Sequence, residues 1–226
     1  MNIYGLQKTS LLDYPEHISA ILFTGGCNFN CPFCQNSSLL HPGASELLDT
    51  EGIFSFLEKR SGILEGVVIT GGEPTIWPDL PDFIRRIRDL GLKVKLDTNG
   101  SRPELIRYLL EHHLLDYIAM DVKASPEHYS QVSGVAVPME PIRESIQLIM
   151  ESKLPYEFRI TIVRELHELS YFHQLGALIS NADLCCLQTF RDNGTVNIAG
   201  LHPYSEEDMK KAAEILRLYV HNVKIR

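Results

Sequence analysis

The sequence predicts an α/β protein: an incomplete TIM-type (β/α)6 partial barrel with a parallel sheet and outer helices. Three observations predict it. Apolar runs of strand length alternate with amphipathic runs of helical length, the pattern of βα units wrapped around a parallel sheet. Six such units can be counted, two fewer than a closed barrel contains. The residues with distinctive chemistry follow the apolar runs, and ligands of such sheets gather beyond the C-terminal strand ends. The 226 residues suit one domain over 1–226, and 44% hydrophobic content suffices for its core.

The strands are expected at 18–23, 66–69, 93–96, 117–120, 158–163 and 184–190. Helices are expected near 50–59, 80–90, 103–112, 141–152 and 170–180, each amphipathic. A last helix over 205–220, within a C-terminal segment 203–226, takes Ser205 as N-cap with Glu206, Glu207 and Asp208 in its first turn. Residues 1–16 read as a polar lead-in ending in a turn at Asp13-Tyr14-Pro15. No repeat, low-complexity tract or Gly/Ser/Pro-rich linker interrupts the alternation.

The net charge of −8 with no basic run excludes nucleic acid and anionic membrane surfaces as expected partners. The longest apolar runs fall short of the ~20 residues that a spanning helix needs. The start MNIYGLQKTS lacks an apolar signal core, so a cytoplasmic location is expected, where thiols stay reduced.

Three of the five cysteines, Cys27, Cys31 and Cys34, lie within eight residues as C-x3-C-x2-C, directly after the first strand. Three thiolates on one loop can hold three irons of a cubic iron–sulfur cluster and leave the fourth iron open to a small molecule. The alternatives are a zinc site, for which His41 is the nearby fourth ligand, and three free thiols. Cys185 and Cys186 are adjacent within an apolar run and read as small core residues that cannot pair with each other.

The second strand ends in Thr70-Gly71-Gly72-Glu73-Pro74. Its glycines allow close backbone approach and Glu73 adds a carboxylate, although GGEP by itself also makes a tight turn. The third ends in Asp97-Thr98-Asn99-Gly100, where Asp97 could instead cap the following helix. The fourth ends in Met120-Asp121-Val122-Lys123, whose charges could form a salt bridge at a loop mouth. Arg159 on the fifth strand can fork onto a carboxylate or pair with Glu157 or Glu165. The other histidines, His112 and His113 among them, read as solvated surface.

The cysteine spacing, with Phe33 before Cys34, resembles the signature of radical S-adenosylmethionine (SAM) enzymes. DTNG and MDVK together resemble the glycyl-radical-enzyme activases within that group, and GLQKTSLLDYP with FTGGCNFNCPFCQN is similar to activating proteins of anaerobic ribonucleotide reductase. The activases often carry Asp-Gly-Pro where this chain has Asp-Tyr-Pro. The resemblance implies a partial barrel and a [4Fe–4S] cluster on Cys27, Cys31 and Cys34. SAM would chelate the open iron, and reduction would cleave it to a 5′-deoxyadenosyl radical. It implies that Phe33, Gly71, Gly72, Glu73, Asp97, Thr98, Asn99, Asp121, Lys123 and Arg159 surround SAM, with His202 near the adenosine. It further implies a monovalent cation held by Asp97, Thr98, Asp121 and the Met120 carbonyl. The implied partners are a glycyl radical enzyme, such as anaerobic ribonucleotide reductase, and a flavodoxin or ferredoxin as electron donor. With little chain left to cover the barrel mouth, a partner's peptide loop suits it better than a small molecule. The alternatives are a radical SAM enzyme acting on a small molecule or another peptide, and a non-catalytic electron-transfer or sensor protein.

Overall fold

A computed structural model describes residues 1–40, 43, 47–192 and 194–226. His41, the expected fourth zinc ligand, lies outside the described residues. The chain runs β1 (Ile3–Ser10), β2 (Ser19–Thr24), α1 (Thr50–Arg60), β3 (Gly66–Gly71), α2 (Leu80–Asp89), β4 (Lys93–Thr98), α3 (Pro103–Glu111) and β5 (Tyr117–Asp121). It continues through α4 (Tyr129–Ser133), α5 (Met139–Glu151), β6 (Tyr156–Ile162), α6 (Phe172–Leu178), β7 (Leu184–Thr189), α7 (Glu206–Leu216) and β8 (Asn222–Ile225). The eight strands form one sheet in strict chain order, β1 through β8, its first and last strands unpaired with each other. β1 is antiparallel to β2 and every later pair is parallel. This is the expected unclosed barrel, with six βα units from β2 to α7 and a further strand at each edge.

The six expected strands form because they can be buried on both faces. Val67, Val68 and Ile69 of β3 and Leu96 of β4 are wholly excluded from solvent, as parallel strands under helices require. The helices cover the outer face through one apolar stripe each. In α2, Leu80, Phe83, Ile84 and Ile87 recur at helical spacing and are buried, while Asp82, Arg86 and Arg88 mark its ends. Asp49 caps α1 by accepting from Gly52 N at 2.8 Å, and Ser205 caps α7 by accepting from Asp208 N at 3.1 Å.

Three expectations are corrected. The lead-in 1–16 contains β1, an edge strand whose residues Gln7–Thr9 stay exposed and so carry no apolar signature. The C-terminal segment 203–226 does not remain helical: α7 ends at Leu216 and β8 then pairs with β7. α4 was not expected; it stops at Gly134, whose φ of 71° is a left-handed C-cap.

The strand alternation sorts the interior into two regions. Leu22, Ile69, Leu96, Met120, Phe158 and Ile160 face the helices in the main core. Ile21, Val68, Tyr117 and Ala119 face inward and pack with Tyr14 into a small apolar plug. Higher along the same inner face come Thr70, Asp97, Asp121, Arg159, Thr161 and Gln188. The barrel lumen therefore has an apolar plug at its base between β2 and β5 and is polar at its mouth, where the site lies. No helix among the described residues is long and apolar enough to cross a membrane.

Candidate active site

The mouth of the barrel is a cleft of about 330 Å³. Its wall includes Cys27, Cys31, Cys34, Phe33, Gly71, Gly72, Glu73, Asp97, Thr98, Asn99, Asp121, Lys123 and Arg159. Of the residues expected at the site, only Met120 and His202 are missing from that wall. Met120 is core, facing the helices. His202 sits on the exposed side of the chain and donates to Glu165, its ring 2.9 Å from that carboxylate.

The cysteine loop leaves β2 through Gly25 and Gly26 and is fixed at several points. Gly26 N donates to Leu39 O at 2.7 Å, Asn30 N to Ser133 O at 2.9 Å, and Cys34 N to Cys31 O at 3.1 Å. Asn28 ties the loop to the end of β4, accepting from Asn99 Nδ2 at 2.9 Å and donating to Ser101 Oγ at 2.8 Å. Cys31 is buried and the other two are half-buried. Burial, together with the nearby Glu73 carboxylate, pushes the Cys27 thiol up to about 12. Burial also raises Cys31 and Cys34, so ligation must displace protons from all three. Among the described residues no three His, Cys, Asp or Glu side chains converge on a single-ion position.

The two glycines of GGEP turn out to serve the fold first. Gly71 has φ of 111°, and a Cβ there would lie 2.5 Å from Thr24 N. A Cβ on Gly72 would lie 1.9 Å from Gly26 O. Their bareness lets β3 close onto the stem of the cysteine loop, with Glu73 N donating to Gly26 O at 2.8 Å. Glu73 itself is buried and its carboxylate is fully engaged. It accepts from Thr75 N at 3.0 Å, Thr75 Oγ1 at 2.5 Å, Thr98 Oγ1 at 2.7 Å and Asn99 N at 2.6 Å. Burial still drives its carboxyl above the ordinary range against these four donors.

Asp97 does not cap α3; it points into the lumen with Lys95, two residues earlier on the same face. Arg159 does not pair with Glu157 or Glu165. It bridges the two aspartates, donating from Nη1 to Asp97 Oδ2 and from Nε to Asp121 Oδ1, both at 2.8 Å. Lys95 donates to Asp97 Oδ1 at 2.7 Å and Lys123 to Asp121 Oδ2 at 3.1 Å. Each of the four carboxylate oxygens thus has its own cationic donor. Arg159 and the two lysines thus satisfy the two aspartates expected to hold a monovalent cation, since a guanidinium is always ionised and can donate to two carboxylates at once. Burial would raise both aspartates, but Arg159, with Lys95 or Lys123, outweighs it; Asp97 is lowered and Asp121 is held at about 2. Lys123 rises despite burial, through Asp121 and Cys31. Its ammonium has donors to spare beside the cysteine loop, 5.9 Å from the centre of the Phe33 ring.

Two partners escaped the sequence reading. Lys95 was legible in principle, since the alternation that buries Val94 and Leu96 sends Lys95 and Asp97 to the opposite face. His167, read as surface, is buried; it accepts from Val163 N at 3.1 Å and its other nitrogen lies 2.8 Å from Lys123 O, fixing the loop after β5. Nothing in the local sequence signals that contact across 44 residues.

Residues 21–170 match the family model described as the radical SAM superfamily. A Methanocaldococcus jannaschii protein, provisionally named a glycyl-radical enzyme activating enzyme, is 29% identical over 99% of this chain and 95% of its own length. A 7-carboxy-7-deazaguanine synthase from Methanothermobacter thermautotrophicus is 30% identical over 55% of this chain and 51% of its own. Among solved structures, Streptococcus suis SuiB bound to S-adenosylmethionine superposes with a TM-score of 0.67 at 14% identity, over 91% of this chain but only 51% of that one. Escherichia coli QueE gives 0.59 at 13% identity, over 100% and 93%. The family works with a [4Fe–4S] cluster and SAM. The donor set found here fits both: three thiols in the cleft for the cluster, and Lys123 with the backbone of Gly71 and Gly72 in the same lining for a carboxylate and an amino group. On its matched residues, its unclosed barrel and this three-thiol cleft, the chain belongs to the radical SAM superfamily.

Proposed function

We propose that this chain is an activase that installs a glycyl radical on a large partner, an enzyme of the anaerobic ribonucleotide reductase type. The observation that carries the reading is the end-to-end match with the M. jannaschii relative, whose name states that activity and whose length this chain nearly fills. The open cleft agrees with it, since a backbone glycine must arrive on a loop of another protein. Bound at Cys27, Cys31 and Cys34, the cluster with SAM supplies hydrogen-atom abstraction after one-electron cleavage of SAM. The chain's own part is to orient. Lys123 faces the cysteine loop with free donors for the SAM carboxylate, and the Gly71–Gly72 edge offers carbonyls to its amino group. Asn99 and Thr98 are held in place by Glu73. A flavodoxin or ferredoxin supplies the electron, in a reducing cytoplasm where the thiols remain free.

A second reading, a small-molecule radical SAM enzyme, is favoured by the match to the deazaguanine synthase, which covers 55% of this chain. One anaerobic experiment separates the two. The reconstituted protein, reduced with dithionite and given SAM, is assayed for 5′-deoxyadenosine with and without a candidate anaerobic reductase. Deoxyadenosine with a doublet glycyl radical in the partner's electron paramagnetic resonance spectrum supports activation. Deoxyadenosine with no radical on any candidate reductase favours the second reading. Cys31→Ala is expected to abolish both cluster and cleavage while leaving the far-ultraviolet circular dichroism unchanged.

A further inference from the structure

The cysteine loop is gripped from outside by a segment that no motif predicts. After β7 the chain crosses the outer side of the loop, and five side-chain or backbone donors join the two. Gln35 Nε2 donates to Arg191 O at 2.7 Å, and Thr195 Oγ1 donates back to Gln35 O at 2.8 Å. Ser37 Oγ donates to Thr195 O. Ile198 N donates to Pro32 O at 3.1 Å. Asn197 Nδ2 donates to Cys31 O at 2.9 Å and reaches Asn30 Oδ1 at 3.2 Å.

We infer that the segment Thr195–Ile198 is a positioning strap for the cluster, with Asn197 as its central residue. The inference rests on the radical SAM reading and concerns how the cluster is held. Cys31 is the most buried of the three thiols, and Asn197 is the side chain that pins its peptide carbonyl. Fixing that carbonyl and the next one, Pro32, sets where the Cys31 sulfur can point. The strap also covers the outer side of the peptides between Cys31 and Cys34, so water reaches them less easily. Contacts one step beyond metal ligands typically change metal affinity by about 10–100-fold when removed. Solvent exposure and hydrogen bonding near a cluster also move its reduction potential. Loosening the strap admits water, which favours the more highly charged reduced form, so the potential becomes less negative.

The test compares wild type, Asn197→Ala, Thr195→Ala and the exposed control Asn222→Ala after anaerobic reconstitution. Iron release to a chelator is followed by loss of cluster absorbance, and the midpoint potential is measured by dye titration. Asn197→Ala is expected to release iron about ten-fold faster or more, with a less negative potential, while the apoprotein keeps its wild-type urea midpoint. Thr195→Ala should move the same way by less, and Asn222→Ala should match wild type. Wild-type iron release and potential in both strap variants would overturn the inference with the family reading intact. A wild-type protein that takes up no cluster would overturn both.

Discussion

Glu73 sits where two loops of the cleft meet, and its two oxygens accept four hydrogen bonds from Thr75, Thr98 and Asn99. Glu73→Gln keeps the shape but turns an amino group toward one of those donors, leaving a buried polar pair unmade. The expected cost is about 1–3 kcal/mol, read as a lower urea midpoint, together with weaker SAM binding as Thr98 and Asn99 loosen. An unchanged midpoint would show that the four contacts carry no stability. His167 gives a pH signature. Burial keeps its imidazole below the ordinary value of 6.5, despite carbonyls of Lys123 and Val163 that favour the charged form. The unfolded chain therefore binds the proton first, and stability falls as pH drops through about 6.5 toward the folded value. A urea midpoint that declines from pH 7 to 5 in wild type, and declines less in His167→Gln, is the expected result. Asp121 acts at lower pH with the same slope: its contribution is whole above about 4 and is lost toward 2. At this scale the motif residues were legible and their partners were not. Spacing located Asp97, Asp121 and Arg159, but only three-dimensional register (Asp121 beside Arg159) shows that they satisfy one another.

The elements divide by the same logic. Strands β2 to β7 were legible because burial on both faces demands apolar runs, and the helices because one stripe must be apolar. β1 and β8 each have a neighbour on one side only, and three of the four β8 residues are exposed, so neither needed the pattern that would have announced it. α4 is five residues long, too short for a periodicity. Its end is nevertheless tied to the cysteine loop, and this can be tested. Gly134 has φ of 71°, and a Cβ there would stand 1.9 Å from Asn30 O. Gly91 has a similar φ of 76° with nothing within 4 Å. Gly91→Ala should cost only the left-handed strain, about 1 kcal/mol. Gly134→Ala must in addition displace Asn30, so it should lower the urea midpoint further and reduce iron uptake on reconstitution. Equal effects of the two substitutions would mean that the α4 end does not brace the loop.

Across the whole molecule, a chain with net charge −8 nevertheless sets three cations against the two lumen aspartates of its cleft. Lys95, Arg159 and Lys123 stand against Asp97 and Asp121 with no free carboxylate oxygen between them. SAM affinity is therefore expected to be unchanged when sodium or potassium is replaced by choline at constant ionic strength, measured by equilibrium dialysis with the reconstituted protein. A loss on replacement would mean that a small cation enters after all and displaces Arg159 from one aspartate. The strict chain order of the sheet has one more consequence, which concerns time. During synthesis the cysteine loop leaves the ribosome early, followed by GGEP, DTNG and MDVK, one strand end after another. Its grip from Thr195 arrives 160 residues later, which at 5–20 residues per second is a delay on the order of ten seconds. Throughout that interval the three thiols hang on a nascent chain with their outer flank open, a window in which an iron–sulfur donor can load them before the last contact is made.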